Sequence, residues 1–286
     1  MPQVPRLFIA FLGASLLALG AAAQDAGTRP LVERLGFTTD DVVLILNVDD
    51  FGMNHASNQG TIKTLKAGGM TSATIMVPCP WFPEVSRWAA EHPQANLGLH
   101  LTLTSEWGRY KWGPVLGRVG VPSLVDSQGY FYPSVFGVYQ NADIEEVEQE
   151  IRAQIDKALD AGIDVTHVDS HMGTLQYNPR YHEVYLRVAA DYDLPCRMAG
   201  EDLMPRAIGG KLYDLADELG VLRPDRLFRG EPETVEETAE WWKRAISALE
   251  PGFVHEIYIH AGELHPELQA TTGTWRRRSA DADFFS

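Results

Sequence analysis

The stretch 44-LILNVDDFGMNHASNQG-60 decides how the chain folds. With Val42 and Val43 before it, an apolar, β-branched run leads through Asn47 to Val48, which predicts a buried strand over 42–48. A helical pattern follows over 58–67 and is ended by Gly68-Gly69. Between the two lie adjacent carboxylates, Asp49 and Asp50, then Phe51-Gly52. Like charges so close repel, and loss of water raises the cost of keeping either ionised. A positive group is therefore expected at the mouth of this strand.

The same strand-then-helix rhythm continues outward. Strands are predicted over 71–77, 96–103, 164–168, 194–198 and 253–259, and helices over 82–91, 143–161, 179–191 and 233–249. Asp143 is placed to cap the helix over 143–161 and Gly162 to end it. Residues 104–142, rich in Gly, Pro and aromatics, form an insertion too long for an idle loop. Residues 201–230 give no clear pattern, and the chain beyond 260 reads as a polar tail. The expectation is an α/β fold, an irregular (β/α) barrel of parallel strands in one domain over 24–286. An open doubly wound sheet is the competitor, although no G-x-G-x-x-G follows the first strand. Either architecture puts its chemistry at the C-terminal ends of the strands.

Residues 1–23 differ from the rest. Arg6 is their one charge, an apolar run follows, and Ala21-Ala22-Ala23 supplies small residues for cleavage. This is the pattern of a secretory signal peptide and not of a stable membrane anchor, so an exported protein, periplasmic or secreted, is expected. Its removal takes the net charge from −15 to −16, which excludes nucleic acid and anionic membrane surfaces as natural partners. The two cysteines, Cys79 and Cys196, permit one disulfide, but nothing in their spacing demands it.

Polar residues of metal-ligand type fall at the strand ends. Asp49 and Asp50 follow the first strand; His100 stands in NLGLHLTLT; His167, Asp169 and His171 stand in THVDSH; His260 ends the last strand in HEIYIHAGEL. Period two puts His167, Asp169 and, if the strand persists, His171 on one face. Taken singly, each has an ordinary explanation: an acidic pair caps helices, and a lone strand histidine is usually a hydrogen-bonded core residue. In a barrel all four places open onto one mouth. A carboxylate with two imidazoles leaves open positions on a metal, as catalytic sites require. A divalent cation would let one aspartate ligate while its neighbour stays ionised and ready to accept a proton.

In order, NVDDFGMN, GLHLTLT, HVDSH and EIYIHAG resemble the motifs of the YdjC-like carbohydrate deacetylases, over about residues 42–260. The resemblance implies a distorted barrel and metal-dependent removal of acetyl from an N-acetylated sugar or oligosaccharide. By position it makes Asp50, His100 and His171 the metal ligands, Asp49 the base and His260 the acid. Zinc suits that ligand set best, with magnesium, manganese and cobalt as alternatives. His167 and Asp169 are expected to orient His171 or Asp49, and Asn47 to be a strand-end hydrogen bonder. Family members often continue H-x-D-S-H-x-H, whereas here Met172 leads to Gly173, and HAG stands where HPG is commoner. The insertion's Trp107, Tyr110, Trp112, Tyr130, Phe131 and Tyr132 are suited either to stacking on sugar rings or to packing the loop. Rival readings are a hydrolase of another acyl bond and an inactive carbohydrate-binding homologue.

Overall fold

The computed structural model describes residues 29–286 and the backbone of residues 7–9. The expected signal peptide, apart from that short piece, lies outside the described residues. Seven strands are formed: β1 (Leu7–Ile9), β2 (Val42–Phe51), β3 (Ser72–Ile75), β4 (Leu97–Leu101), β5 (Val165–Ser170), β6 (Arg226–Leu227) and β7 (Val254–His260). The sheet runs β5-β4-β3-β2-β7-β6, with β1 set against the first residues of β2, and every pairing is parallel. Helices flank this curled sheet, and the barrel is incompletely closed. Between β5 and the far edge stands segment 194–198, reduced from an expected strand to one bridge, Val168 to Cys196. Pro195 has no N–H to give, and the neighbouring Cys196 N–H turns away to Leu222 O.

The helices owe their positions to caps and to an apolar face. The helix His55–Ala67 begins three residues before the apolar period suggests, because the Asn54 side chain accepts from Ser57 N at 2.8 Å. Its Gly60 lies directly against the chain after β7, where a Cβ would stand 2.5 Å from the Gly262 backbone. The helix Ile144–Asp160 is capped by Asp143 as expected, and it buries Val147, Ile151, Ile155 and Ala158. Glu150 and Gln154 lie on the same buried face. Glu150 accepts from Val115 N and Leu116 N, and Gln154 bonds both backbone groups of Thr102, so this helix pins the insertion at its base.

The stretches that gave no pattern are ordered. Residues 201–230 supply the helix Arg206–Glu218 and β6. The expected polar tail forms two helices, Pro266–Thr271 and Trp275–Phe284, and the second packs against His55–Ala67 and β7. Among the described residues no helix is long and apolar enough to cross a membrane, and both cysteines are buried and unpaired.

Candidate metal centre

In a regular strand Asp49 and Asp50 would face opposite sides of the sheet. Here the register of β2 against β3 slips between Val48 and Phe51, and Asp50 takes the left-handed φ of 66° that aspartate tolerates better than most residues. Both carboxylates end up buried, each in its own set of partners.

Asp50 Oδ2 accepts from Arg278 Nη2 at 2.7 Å. Its Oδ1 is buried without a hydrogen-bond partner, and two imidazole nitrogens face it, His100 Nε2 and His171 Nδ1, each at 3.5 Å. That separation is long for a hydrogen bond. Ligand atoms about 2 Å from a tetrahedral zinc lie roughly 3.3 Å apart; the two carboxylate–imidazole separations match that spacing, and all three ligand atoms lie within 4.8 Å of one another. The far nitrogens are held too: His100 Nδ1 lies 2.5 Å from Asp169 Oδ1, and His171 Nε2 lies 3.0 Å from Glu106 Oε2. Carboxylates in those places fix each ring so that the inward nitrogen carries the lone pair. These residues fit a divalent cation.

The charges follow from the contacts. Burial would raise the Asp50 carboxyl, but Arg278, with His260 and His171, more than offsets it and holds it well below the usual range. Burial lowers His171, yet Glu106 and Asp50 win and push it up to about 10. His100 is likewise raised against its burial by Asp169 and Asp49. Without a cation, these acids favour the protonated form of both imidazoles, most strongly that of His171.

Asp49 answers to a different arginine. Arg197 Nη1 and Nη2 donate to its two oxygens at 2.8 and 2.7 Å, and Asn47 Nδ2 donates to Oδ1 at 2.9 Å. Arg197 also reaches Asp169 Oδ2 at 2.9 Å and Glu256 Oε1 at 2.6 Å. Burial raises Asp49, but Arg197 together with His100 and His260 depresses it far below an ordinary carboxyl. His260 is the register partner of Asp49 across β2 and β7; burial lowers it, with Asp50 opposing. Asp49, His100 and His260 line one cleft with Met172, Tyr177, Arg229 and Tyr258.

The structure thus brings Asp49, Asp50, His100, His171 and His260 to one mouth, with three revisions to the supporting cast. Asp169 orients His100, not His171, and meets Asp49, its other expected target, only through the shared Thr74 and Arg197. Asn47 positions Asp49 instead of merely ending a strand, and His167 reaches Asp49 only through Asn47, at 3.4 Å. In the insertion, Trp112 and Phe131 are buried packing residues, Trp112 donating to Thr104 O at 2.8 Å beside the His171 ring, while Trp107 lies over Arg278. Glu106, Arg197, Glu256 and Arg278 were not singled out in the sequence. Arg197 left a signal, a charge inside an otherwise apolar strand pattern; Arg278 sat in a polar tail and left none.

The curled parallel sheet thus carries, at its C-terminal mouth, an acid and imidazole cluster whose donors could hold a divalent cation. The chain belongs to the YdjC-like protein family, whose profile matches residues 43–286. It is similar to proteins named carbohydrate deacetylase from Enterococcus faecalis, 38% identical over 162 residues, and from Thermus thermophilus, 39% over 164. These alignments take in 56% and 57% of the chain and only 60% and 56% of the relatives. A crystal structure from E. faecalis named as a cellobiose-phosphate cleavage protein is 31% identical, with a TM-score of 0.71 over 85% of this chain and 89% of that one.

Proposed function

We propose that the chain is a metal-dependent carbohydrate deacetylase that releases acetate from an N-acetylated sugar or oligosaccharide, and that it acts after export, in the periplasm or outside the cell. The observation that carries this reading is Asp50 Oδ1, an orphaned buried oxygen faced by two imidazoles that carboxylates hold from behind. A divalent cation held by Asp50, His100 and His171, with zinc the best match to the donors, would supply a Lewis acid for the acetyl carbonyl and for its developing negative charge.

The chain's own groups do the rest. Asp49 accepts the proton of the attacking water. Its two-pronged contact with Arg197 keeps it ionised and fixes its direction, at the expense of basicity. His260 lies across the strand pair and donates to the leaving nitrogen, because an amine anion is too poor a leaving group. A lowered pKa makes His260 a stronger acid once it is protonated. Buried aromatic packing above His171 keeps bulk water from that side of the cluster.

The test is a calorimetric zinc titration of metal-stripped protein beside His100→Ala/His171→Ala, followed by acetate release from N-acetylated sugars. One tight site per chain, lost in the double variant, together with acetate release, is expected. Equal binding by the two proteins, with zinc and then with magnesium, manganese and cobalt, would remove the reading's physical basis.

A further inference from the structure

Arg197 stands where the barrel fails to close, and its backbone is tied to the β5 side of the gap. Its N–H donates to Val168 O at 2.9 Å, and its O accepts from Gln176 Nε2 at 2.8 Å and from Tyr185 Oη at 3.2 Å. The side chain makes the crossing. Nε donates to Glu256 Oε1 on β7 at 2.6 Å, the two Nη groups grip Asp49, and Nη1 also reaches Asp169 Oδ2. The Tyr258 ring lies against the guanidinium, 4.4 Å from its carbon to the ring centre. Period two sets Glu256, Tyr258 and His260 on one face of β7, so one strand supplies an anchor for the arginine, the ring against it and the proposed acid.

Glu256 approaches from the far end of the sheet. It lines a cavity of about 620 Å³ among the starts of the strands, with Ile45, Ser72 and Val254, and Arg197 lines both this cavity and the reaction cleft. A guanidinium is a planar fork on a flexible stem. Its Nη pair alone would follow the Asp49 carboxylate wherever that group turned. A third bond, from Nε to a different strand, fixes the plane of the fork and with it the direction of both Asp49 oxygens. We propose that Glu256 is a positioning residue: from the end of the sheet remote from the metal centre, it holds Arg197 in the orientation that aims Asp49 at the attacking water. This rests on the role of Asp49 as base proposed above.

The experiment separates reach from charge. Glu256→Gln keeps an oxygen at the distance that Arg197 Nε needs and gives up the charge. Glu256→Asp keeps the charge and draws the oxygen back by one methylene, and Glu256→Leu gives up both. Arginine Nε–H signals in nitrogen–proton spectra of metal-free protein report whether the tie is held, that of Arg197 being assigned by its loss in Arg197→Lys. Zinc titrations and the kcat and KM of acetate release from N-acetylglucosamine oligosaccharides report the consequence. The Arg197 signal should be protected from exchange in wild type and Glu256→Gln and lose protection in the other two. In those two kcat should fall about 10- to 100-fold, with KM and zinc affinity kept, and it should fall much less in Glu256→Gln. In an Asp49→Asn background Glu256→Leu should change kcat little, because the group it aims is gone. Glu256→Asp more active than Glu256→Gln would make Glu256 a charge and not an anchor, and an equal loss with or without the Asp49 carboxylate would make it merely structural. Either result overturns the proposal, as does an Arg197 signal unchanged in Glu256→Leu. Protection lost in Glu256→Asp and Glu256→Leu and kept in Glu256→Gln, without acetate release from any N-acetylated sugar, leaves the anchor standing and removes the deacetylase reading. Acetate release that Glu256→Leu does not slow does the reverse.

Discussion

Asp49 and Asp50 are neighbours in sequence with opposite needs, and an arginine meets each. Arg197 grips both oxygens of Asp49, whereas Arg278 takes one oxygen of Asp50 and leaves the other free to ligate. Asp49→Asn keeps the ligand set intact, so zinc affinity should persist while kcat falls by about 10²- to 10⁴-fold, the usual contribution of a general base. Full activity in that variant would overturn the assignment. Arg278→Ala leaves a buried charge uncompensated, a loss of about 3–5 kcal/mol in such pairs. Urea melts should show that loss in metal-free protein and a smaller one at saturating zinc, where the cation supplies the missing charge. Because His171 is raised to about 10, it holds a proton before the metal arrives, and the upward shift of His100 acts in the same direction. Zinc binding at pH 7.5 should therefore release protons, read as a binding enthalpy that changes with the ionisation enthalpy of the buffer. A buffer-independent enthalpy would mean that the rings are already neutral.

At the scale of elements, the sequence displayed whatever repeats with the period of a strand or a helix. The apolar run of β2 and the period of Ile144–Asp160 are regular, and both elements start where expected, β2 running three residues further than expected to take in Asp49, Asp50 and Phe51. Segment 194–198 was read from the same kind of pattern, but Pro195 has no N–H for the ladder, and the bonds of one bridge remain, Val168 N to Pro195 O and Arg197 N to Val168 O. The helix Trp275–Phe284 was invisible because two of its three buried residues are Arg278 and Asp281, polar groups with partners far away in sequence. The candidate ligands were legible because they crowd strand ends; their counter-charges were not, since no local period marks an ion pair.

The helix Pro179–Asp191 carries a different prediction. Both ring nitrogens of its buried His182 lack partners, and burial lowers the group to about 4. The unfolded chain then binds the extra proton below about pH 6.5, so stability is full above that value and falls as pH drops toward 4. Between pH 7 and 5 this one residue should cost about 2 kcal/mol. In His182→Leu, urea melts at the two pH values should differ by about that much less than in wild type. An identical difference would show that His182 does not stay neutral in the fold.

The whole molecule is organised around contacts of great sequence separation: Asp49 meets Arg197 across 148 positions, and Asp50 meets Arg278 across 228. Parallel strands gather the two carboxylates and His100 early in the chain, but the site is completed by elements that arrive much later. At synthesis rates of about 5–20 residues per second, a gap of 228 positions is roughly 10–50 s. For that interval the emerging chain holds an acidic pair whose second counter-charge has not yet been made. Asp50 has its arginine partner only once the helix Trp275–Phe284 has been made. Of the groups that face Asp50, the arginine that balances its charge is thus the last to be encoded, after His100 and His171.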